Sequence, residues 1–191
     1  MTKARTLATF DTSTALSGNI NLATQVTGLL PLANGGTGAT SVPAGATNTP
    51  AFSAFKTSAD QSLAGGGDVK VDYNSEIYDS DNCYATNRFT PTTAGKYYFQ
   101  ASAYVDTNGG AGTLIKGGIK IKKNGSTVAK QRTDFDTNNG RTMTQQISCV
   151  LDMNGSTDYV EVWAHAETST GSGQVRQETD GGSHFMGFKL A

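Results

Sequence analysis

The chain has 191 residues, 36% of them apolar and 16% charged, with 23 glycines, 4 prolines and a formal net charge of −1. A β domain of roughly 140 residues buries close to 70% of its unfolded surface, so this length suits one self-sufficient domain plus an appendage. The near-zero charge excludes an extended phosphate-neutralising surface, and no run approaches the ~20 apolar residues that span a bilayer.

The two cysteines, Cys83 and Cys149, lie far apart without CxxC-type spacing. They are expected as free thiols of a reducing cytoplasm rather than as a disulfide framework or zinc site. The opening Met1-Thr2-Lys3-Ala4-Arg5-Thr6-Leu7-Ala8 lacks the continuous apolar stretch of a signal peptide, so export by the usual route is not expected.

In chain order, residues 1–50 carry only Lys3, Arg5 and Asp11 as ionised side chains and Phe10 as their sole ring. Such a segment cannot offset its own backbone ordering, which costs about 1–2 kcal/mol per residue. Within it, however, Val26-Thr27-Gly28-Leu29-Leu30-Pro31-Leu32-Ala33 is too apolar for a solvated linker. Val26, Leu29, Leu30 and Leu32 are therefore read as an attachment surface that orders when it docks on a larger assembly. The glycine-rich run Asn34–Ser41 has no strand before it, no helix after it and no lysine, which excludes a phosphate-cradling loop. The stretch Thr27–Ser41 resembles a module recurrent in bacteriophage tail fibres and related virion appendages. Composition changes at Pro50, where aromatics, charges and period-2 alternation begin together, so an extended N-terminal arm is assigned to 1–50 and a head domain to 51–191.

The head reads as strands. Tyr97, Phe99, Ala101, Ala103 and Val105 share one face of a run whose other face is Tyr98, Gln100, Ser102 and Tyr104. Gly118-Ile119-Lys120-Ile121-Lys122-Lys123 alternates apolar and cationic residues and runs into Asn124-Gly125, the strongest short hairpin signal. The pattern recurs with Met143, Ile147, Cys149 and Leu151 on one face, followed by Asn154-Gly155 and then Asp158–Ala164. Asn139-Gly140 and Asp180-Gly181-Gly182 mark further turns. No long 3.6-residue stripe with caps appears. The expectation is an all-β, antiparallel jelly-roll sandwich.

Three pieces occur in a telling order. Ala51-Phe52-Ser53-Ala54-Phe55 opens the domain. Arg88-Phe89-Thr90-Pro91 and Ala94-Gly95-Lys96-Tyr97-Tyr98-Phe99 form its centre. Ser183-His184-Phe185-Met186-Gly187-Phe188-Lys189-Leu190 closes it. Together they resemble the globular head domain of the complement and tumour-necrosis-factor superfamily over residues 51–191. The central motif has an extra residue before Gly95, and there is no Gly-X-Y stalk. The resemblance implies a ten-stranded jelly roll assembling as a homotrimer. Phe89, Tyr97, Phe99, Phe185 and Phe188 are expected in the buried aromatic area or at trimer contacts. Gly95 is expected in a turn of positive φ, and Gly187 where two backbones approach closely.

Catalysis has little to stand on. His165 and His184 are the only histidines, and no Gly-x-Ser-x-Gly elbow exists. Asp134 and Asp136, and Asp79 and Asp81, are the acidic pairs a glycan hydrolase would need, and calcium is the ion such oxygens would suit. No catalytic residue, cofactor site or metal ligand is assigned, and the chain is expected to be non-enzymatic. The two resemblances together imply a phage virion structural protein: a tail-fibre or fibre-tip trimer, fastened to other virion proteins by its arm and touching a host surface glycan or protein. A capsid decoration or head-fibre trimer is the alternative, and a polysaccharide depolymerase the third class. Neither nucleic-acid binding nor membrane insertion is expected. Candidate contact residues lie in two glycine-rich loops, at Asn108, Gly109 and Gly110 and at Thr170 and Ser172.

Overall fold

The computed structural model describes residues 48–108, 112–135, 137–138, 140–178 and 181–190. The proposed arm with Val26, Leu29, Leu30 and Leu32, and also Gly109, Gly110, Asp136, Asn139 and Asp180, lie outside the described residues.

Among the described residues the chain forms thirteen strands: β1 (Ala51–Phe55), β2 (Gln61–Leu63), β3 (Val69–Lys70), β4 (Ser75–Asp79), β5 (Tyr84–Ala85), β6 (Arg88–Phe89), β7 (Ala94–Thr107), β8 (Leu114–Lys123), β9 (Ser126–Asp134), β10 (Thr142–Asn154), β11 (Val160–Thr168), β12 (Gly173–Val175) and β13 (His184–Lys189). One 3-10 turn, Ala64–Gly66, follows β2. All pairings are antiparallel and fall into two sheets.

The seven-stranded sheet is organised on β7, whose 14 residues pair along one side with β10 and along the other with β13 and then β12. β13 continues to β1 and β4, and β12 to β2. The six-stranded sheet runs β5-β6-β11-β8-β9, with β3 also on β11. The chain crosses between sheets from β7 to β8, from β9 to β10 and from β10 to β11, while β8 and β9 form a hairpin within one sheet.

Local chemistry explains that hairpin. Asn124 and Gly125 take φ of +51° and +80°, as a type I′ turn requires. The resemblance of Asn154-Gly155 to this turn is only partial. There Asn154 Oδ1 accepts from the N–H groups of Ser156, Thr157 and Asp158, all at 3.0 Å, which caps a longer loop that carries the chain from one sheet to the other.

The core lies between the sheets. Tyr97, Phe99, Ala101, Ala103 and Val105 are all fully buried, as the period-2 reading of that run places them on one face. Phe52 stacks on Phe89 and Tyr84 at 4.5 and 4.9 Å and meets Phe185 edge-on at 4.7 Å. Two further tyrosines are buried with their hydroxyls satisfied: Tyr73 donates to Ser102 O at 2.9 Å and Tyr84 to Tyr73 O at 3.0 Å. Cys83 and Cys149 are free thiols, and burial raises the Cys149 thiol to about 11.

Two expectations about glycine change. Gly95 has the expected positive φ, +151°, but as the second residue of β7 rather than in a turn, and a Cβ there would meet Lys189 Cε at 2.8 Å. Gly187 is approached by rings rather than by a second backbone, because a Cβ there would lie 2.6 Å from Phe99 Cδ1 and 3.0 Å from Phe52 Cε1. Neither ring can retreat, since both are fully buried in the cluster. Gly187→Ala is therefore expected to cost about 1–3 kcal/mol, read as a lower urea midpoint with an unchanged slope. An unchanged midpoint would show that this contact is not tight.

Candidate association face

The same pleat that buries Tyr97 and Phe99 turns their neighbours outward. On the outer face of the seven-stranded sheet, Tyr98 of β7 lies between Val150 of β10 and Phe188 of β13, and Phe188 in turn pairs with Ala51 of β1. The Tyr98 and Phe188 rings are 5.5 Å apart. The next row is Ser148, Gln100, Met186 and Ser53, with Tyr78 beyond on the edge strand β4. Val150 is 52% exposed and Tyr78 45%, while Tyr98, Met186 and Phe188 are half-buried. Five large apolar side chains, on β10, β7, β13 and β4, thus lie on a face that nothing covers among the described residues. Cross-strand neighbours on one sheet face reinforce each other, and such a band is more than the scattered apolar exposure usual for a monomer.

Along the strands the face becomes polar. Ser102 is buried, donates to Gly182 O at 2.9 Å and lies 2.8 Å from His184 Nδ1; the His184 ring sits edge-on to Phe55 at 5.9 Å. Further on, Arg176 lies over the Tyr104 ring and reaches Asp106 Oδ2 at 3.4 Å. Asp106 is buried, and its Oδ1 has no hydrogen-bond partner among the described residues. Burial raises the Asp106 carboxyl above its ordinary value, and the hydrogen bond from Gln174 and the charge of Arg176 do not outweigh it.

The residues singled out from sequence divide into three groups. Phe89, Tyr97, Phe99 and Phe185 lie in the protomer core, and Gly187 sits beneath two of those rings. Phe188 does not belong with them: it is one step out of phase with Phe185, so it stands on the outer face beside Tyr98. Asn108 and Ser172 come together at one end of the sandwich, where Asn108 N donates to Ser172 O at 3.1 Å. Thr170 is exposed in the second of these loops. The residues missed from sequence are Val150, Met186 and Tyr78, each an apolar residue on the outward side of its strand.

The groups considered for catalysis are otherwise engaged. Asp79 caps a turn, its two oxygens accepting from Cys83 N at 3.0 Å and Tyr84 N at 2.7 Å. Asp134 accepts from Arg132 at 3.3 Å. Among the described residues no three His, Cys, Asp or Glu side chains converge as a metal site would require, and no helix is long and apolar enough to cross a membrane.

Solved structures with this arrangement include the globular domain of zebrafish complement 1qA protein, at 16% identity and TM-score 0.53, covering 74% of this chain and 97% of that one. Murine APRIL at pH 5.0 matches at 10% identity and TM-score 0.54, covering 73% and 98%. Eiger TNF from S. frugiperda matches at 11% and 0.50, covering 74% and 92%. The fold is the complement- and tumour-necrosis-factor-like jelly roll. No protein-family model matches the chain, and no curated protein matches it in sequence.

The raised Asp106 carboxyl gives a pH signature with a definite sign. Its folded value lies above its unfolded value of about 3.8, so protonated Asp106 favours the fold and that contribution fades as pH rises through the folded value. Asp106→Asn should therefore gain stability relative to the parent between about pH 3 and pH 7, measured as the difference in Tm. A difference that moves the other way would show that Arg176 dominates this carboxylate.

Proposed function

We propose that the chain is a non-enzymatic virion structural protein whose jelly-roll head assembles as a homotrimer through the outer face of the seven-stranded sheet. The observation that carries this reading is the Val150–Tyr98–Phe188 row, a cross-strand band of rings and a β-branched side chain left open among the described residues. Burying a side chain of this kind is worth about 1.5–3 kcal/mol, and a three-fold ring closes head-to-tail contacts on themselves, so neighbouring copies cover the row without an open-ended fibre. Likeness to trimer-forming jelly rolls supports the same stoichiometry.

The virion assignment draws on the Thr27–Ser41 run and its resemblance to tail-fibre modules. In this reading the arm, 1–50, fastens the trimer to the particle through Val26, Leu29, Leu30 and Leu32, and the head, 51–191, meets the host surface. Contact there is multivalent, so weak sites on each copy add up to useful avidity. The work is attachment, with no chemistry performed on the ligand.

Sedimentation of the full chain is expected to give three times the 19.9 kDa chain mass. Phe188→Arg places a charge in the row beside Tyr98 and should give single chains with unchanged β-sheet circular dichroism. A wild-type monomer at all concentrations would sink the assembly. Labelling purified particles with an antibody to the head should put signal on the tail; signal on the head shell would replace the fibre reading with capsid decoration.

A further inference from the structure

The opposite surface of the sandwich has a different chemistry. On the outer face of the six-stranded sheet, β8 presents Lys116, Gly118, Lys120 and Lys122, β9 presents Lys130 and Arg132, and β11 presents His165 and Glu167. Gly118 stands between His165 on β11 and Arg132 on β9. A Cβ at Gly118 would lie 2.8 Å from Gln131 O, so this row has a backbone floor where its neighbours have long side chains. The result is a cleft of about 350 Å³, walled by Gly66, Gly67 and Asp68 on one side and by Lys130 and Arg132 on the other.

This cleft does not end at His165. A second hollow of about 310 Å³ shares Gly66 and Glu167 with it and runs on to Thr168, Gly171 and Ser172, in the loop singled out from sequence. The two hollows adjoin at Gly66 and Glu167, the first cationic at the β9 edge and the second bordered by Thr168 and Ser172.

Charges in the groove are unequal. Asp68 accepts from Lys120 at 2.7 Å and lies 3.7 Å from Lys122. Glu167 accepts from Lys116 at 2.8 Å and stands 3.6 Å from His165. Burial alone would raise the Asp68 carboxyl, but the hydrogen bond and charge of Lys120 and the charge of Lys122 outweigh it and hold the group ionised. Arg132 makes one 3.3 Å bond to Asp134, and Lys130 has no ion-pair partner among the described residues. Cations therefore exceed carboxylates where the groove meets β9, although the chain as a whole carries −1.

We propose that this groove binds an acidic saccharide, its carboxylate held by Lys130 and Arg132 and its hydroxyls by Asp68, Glu167 and Ser172. The mixed lining decides the class. A nucleic-acid strand needs a run of phosphate contacts, and the excess of cations here is confined to Lys130 and Arg132 at one edge. An acidic peptide would place a carboxylate at that edge but brings few hydroxyls to use Asp68 and Glu167 as acceptors. A uronic-acid oligomer offers both groups, one anion against the cationic end and several donors against the acids. This deepens the host-contact reading above, and rests on it only for the biological setting.

Titration calorimetry of the full chain tests it with three probes: tetragalacturonate, neutral maltotetraose and a twelve-residue oligothymidylate. Tetragalacturonate should bind at least ~10-fold more tightly than maltotetraose and weaken as salt rises from about 50 to about 300 mM. The Lys130→Ala/Arg132→Ala pair, both exposed, should lose ~10-fold or more in affinity with Tm and sedimentation unchanged. No heat at about 5 mM tetragalacturonate, equal affinity of parent and double variant, or tighter binding of the oligothymidylate would each overturn the assignment. Loss of binding with the trimer intact touches the groove alone; loss of the trimer with binding intact touches only the association face.

Discussion

Phe52 holds the two sheets together. Its ring belongs to the first strand of the seven-stranded sheet, yet it stacks on Tyr84 and Phe89 of the facing sheet and meets Phe185 of the last strand edge-on. Aromatic pairs of this geometry are worth about 0.5–1.5 kcal/mol each beyond their buried area. Because β1 pairs with β13 and β13 with β7, fixing Phe52 also fixes the register of the strands that carry the outer-face row. A slip of one residue would turn Phe99 and Phe185 to the outer face and Tyr98 and Phe188 to the inner one, disrupting the core and the outer row in one step. The inner packing and the outer surface are two sides of a single constraint.

That constraint explains what could be read from sequence and what could not. The alternation in Tyr97–Val105 reports its own faces, since period 2 is local, and Asn124-Gly125 reports its turn because positive φ at two successive positions is a local demand. Phe188 was harder. It sits in a motif with Phe185 and shares its chemistry, but at a separation of three residues the two must face opposite ways in a strand. Treating the motif as one aromatic unit hides that difference, and counting parity from Phe185 recovers it. Asn154-Gly155 shows the converse error, because the dipeptide also suits an Asx-capped loop, and only the identity of the sheets on either side separates the two uses.

The groove had no local signal. Gly118 looks from sequence like a weak point in a strand, and Lys120, Lys130 and Arg132 look like ordinary solvated faces. Their convergence depends on β8 pairing with both β9 and β11, and on the Gly66–Asp68 segment folding over the same sheet. Tyr73 is a similar case: it enters the core from a segment between β3 and β4, with nothing in its neighbours to mark it. Contacts between residues distant in sequence decide such positions, and composition does not register them.

The two outer faces of the sandwich divide the remaining tasks by their chemistry. Among the described residues the seven-stranded sheet leaves Val150 exposed and Tyr98, Phe188 and Met186 half-exposed, groups that gain by leaving water. The six-stranded sheet is covered with paired charges, among them Glu161, whose contacts with Arg88, Lys70 and Trp163 outweigh the burial that would otherwise raise its carboxyl. Desolvating such a network costs more than it returns unless every partner is replaced. Self-association therefore favours the first face and leaves the second wet. In the proposed trimer the acidic-saccharide groove would point outward in three copies, so avidity would come from the geometry that hides the rings. Apolar residues spent at the axis and charges kept at the rim are then parts of the same device for holding a surface through many weak contacts.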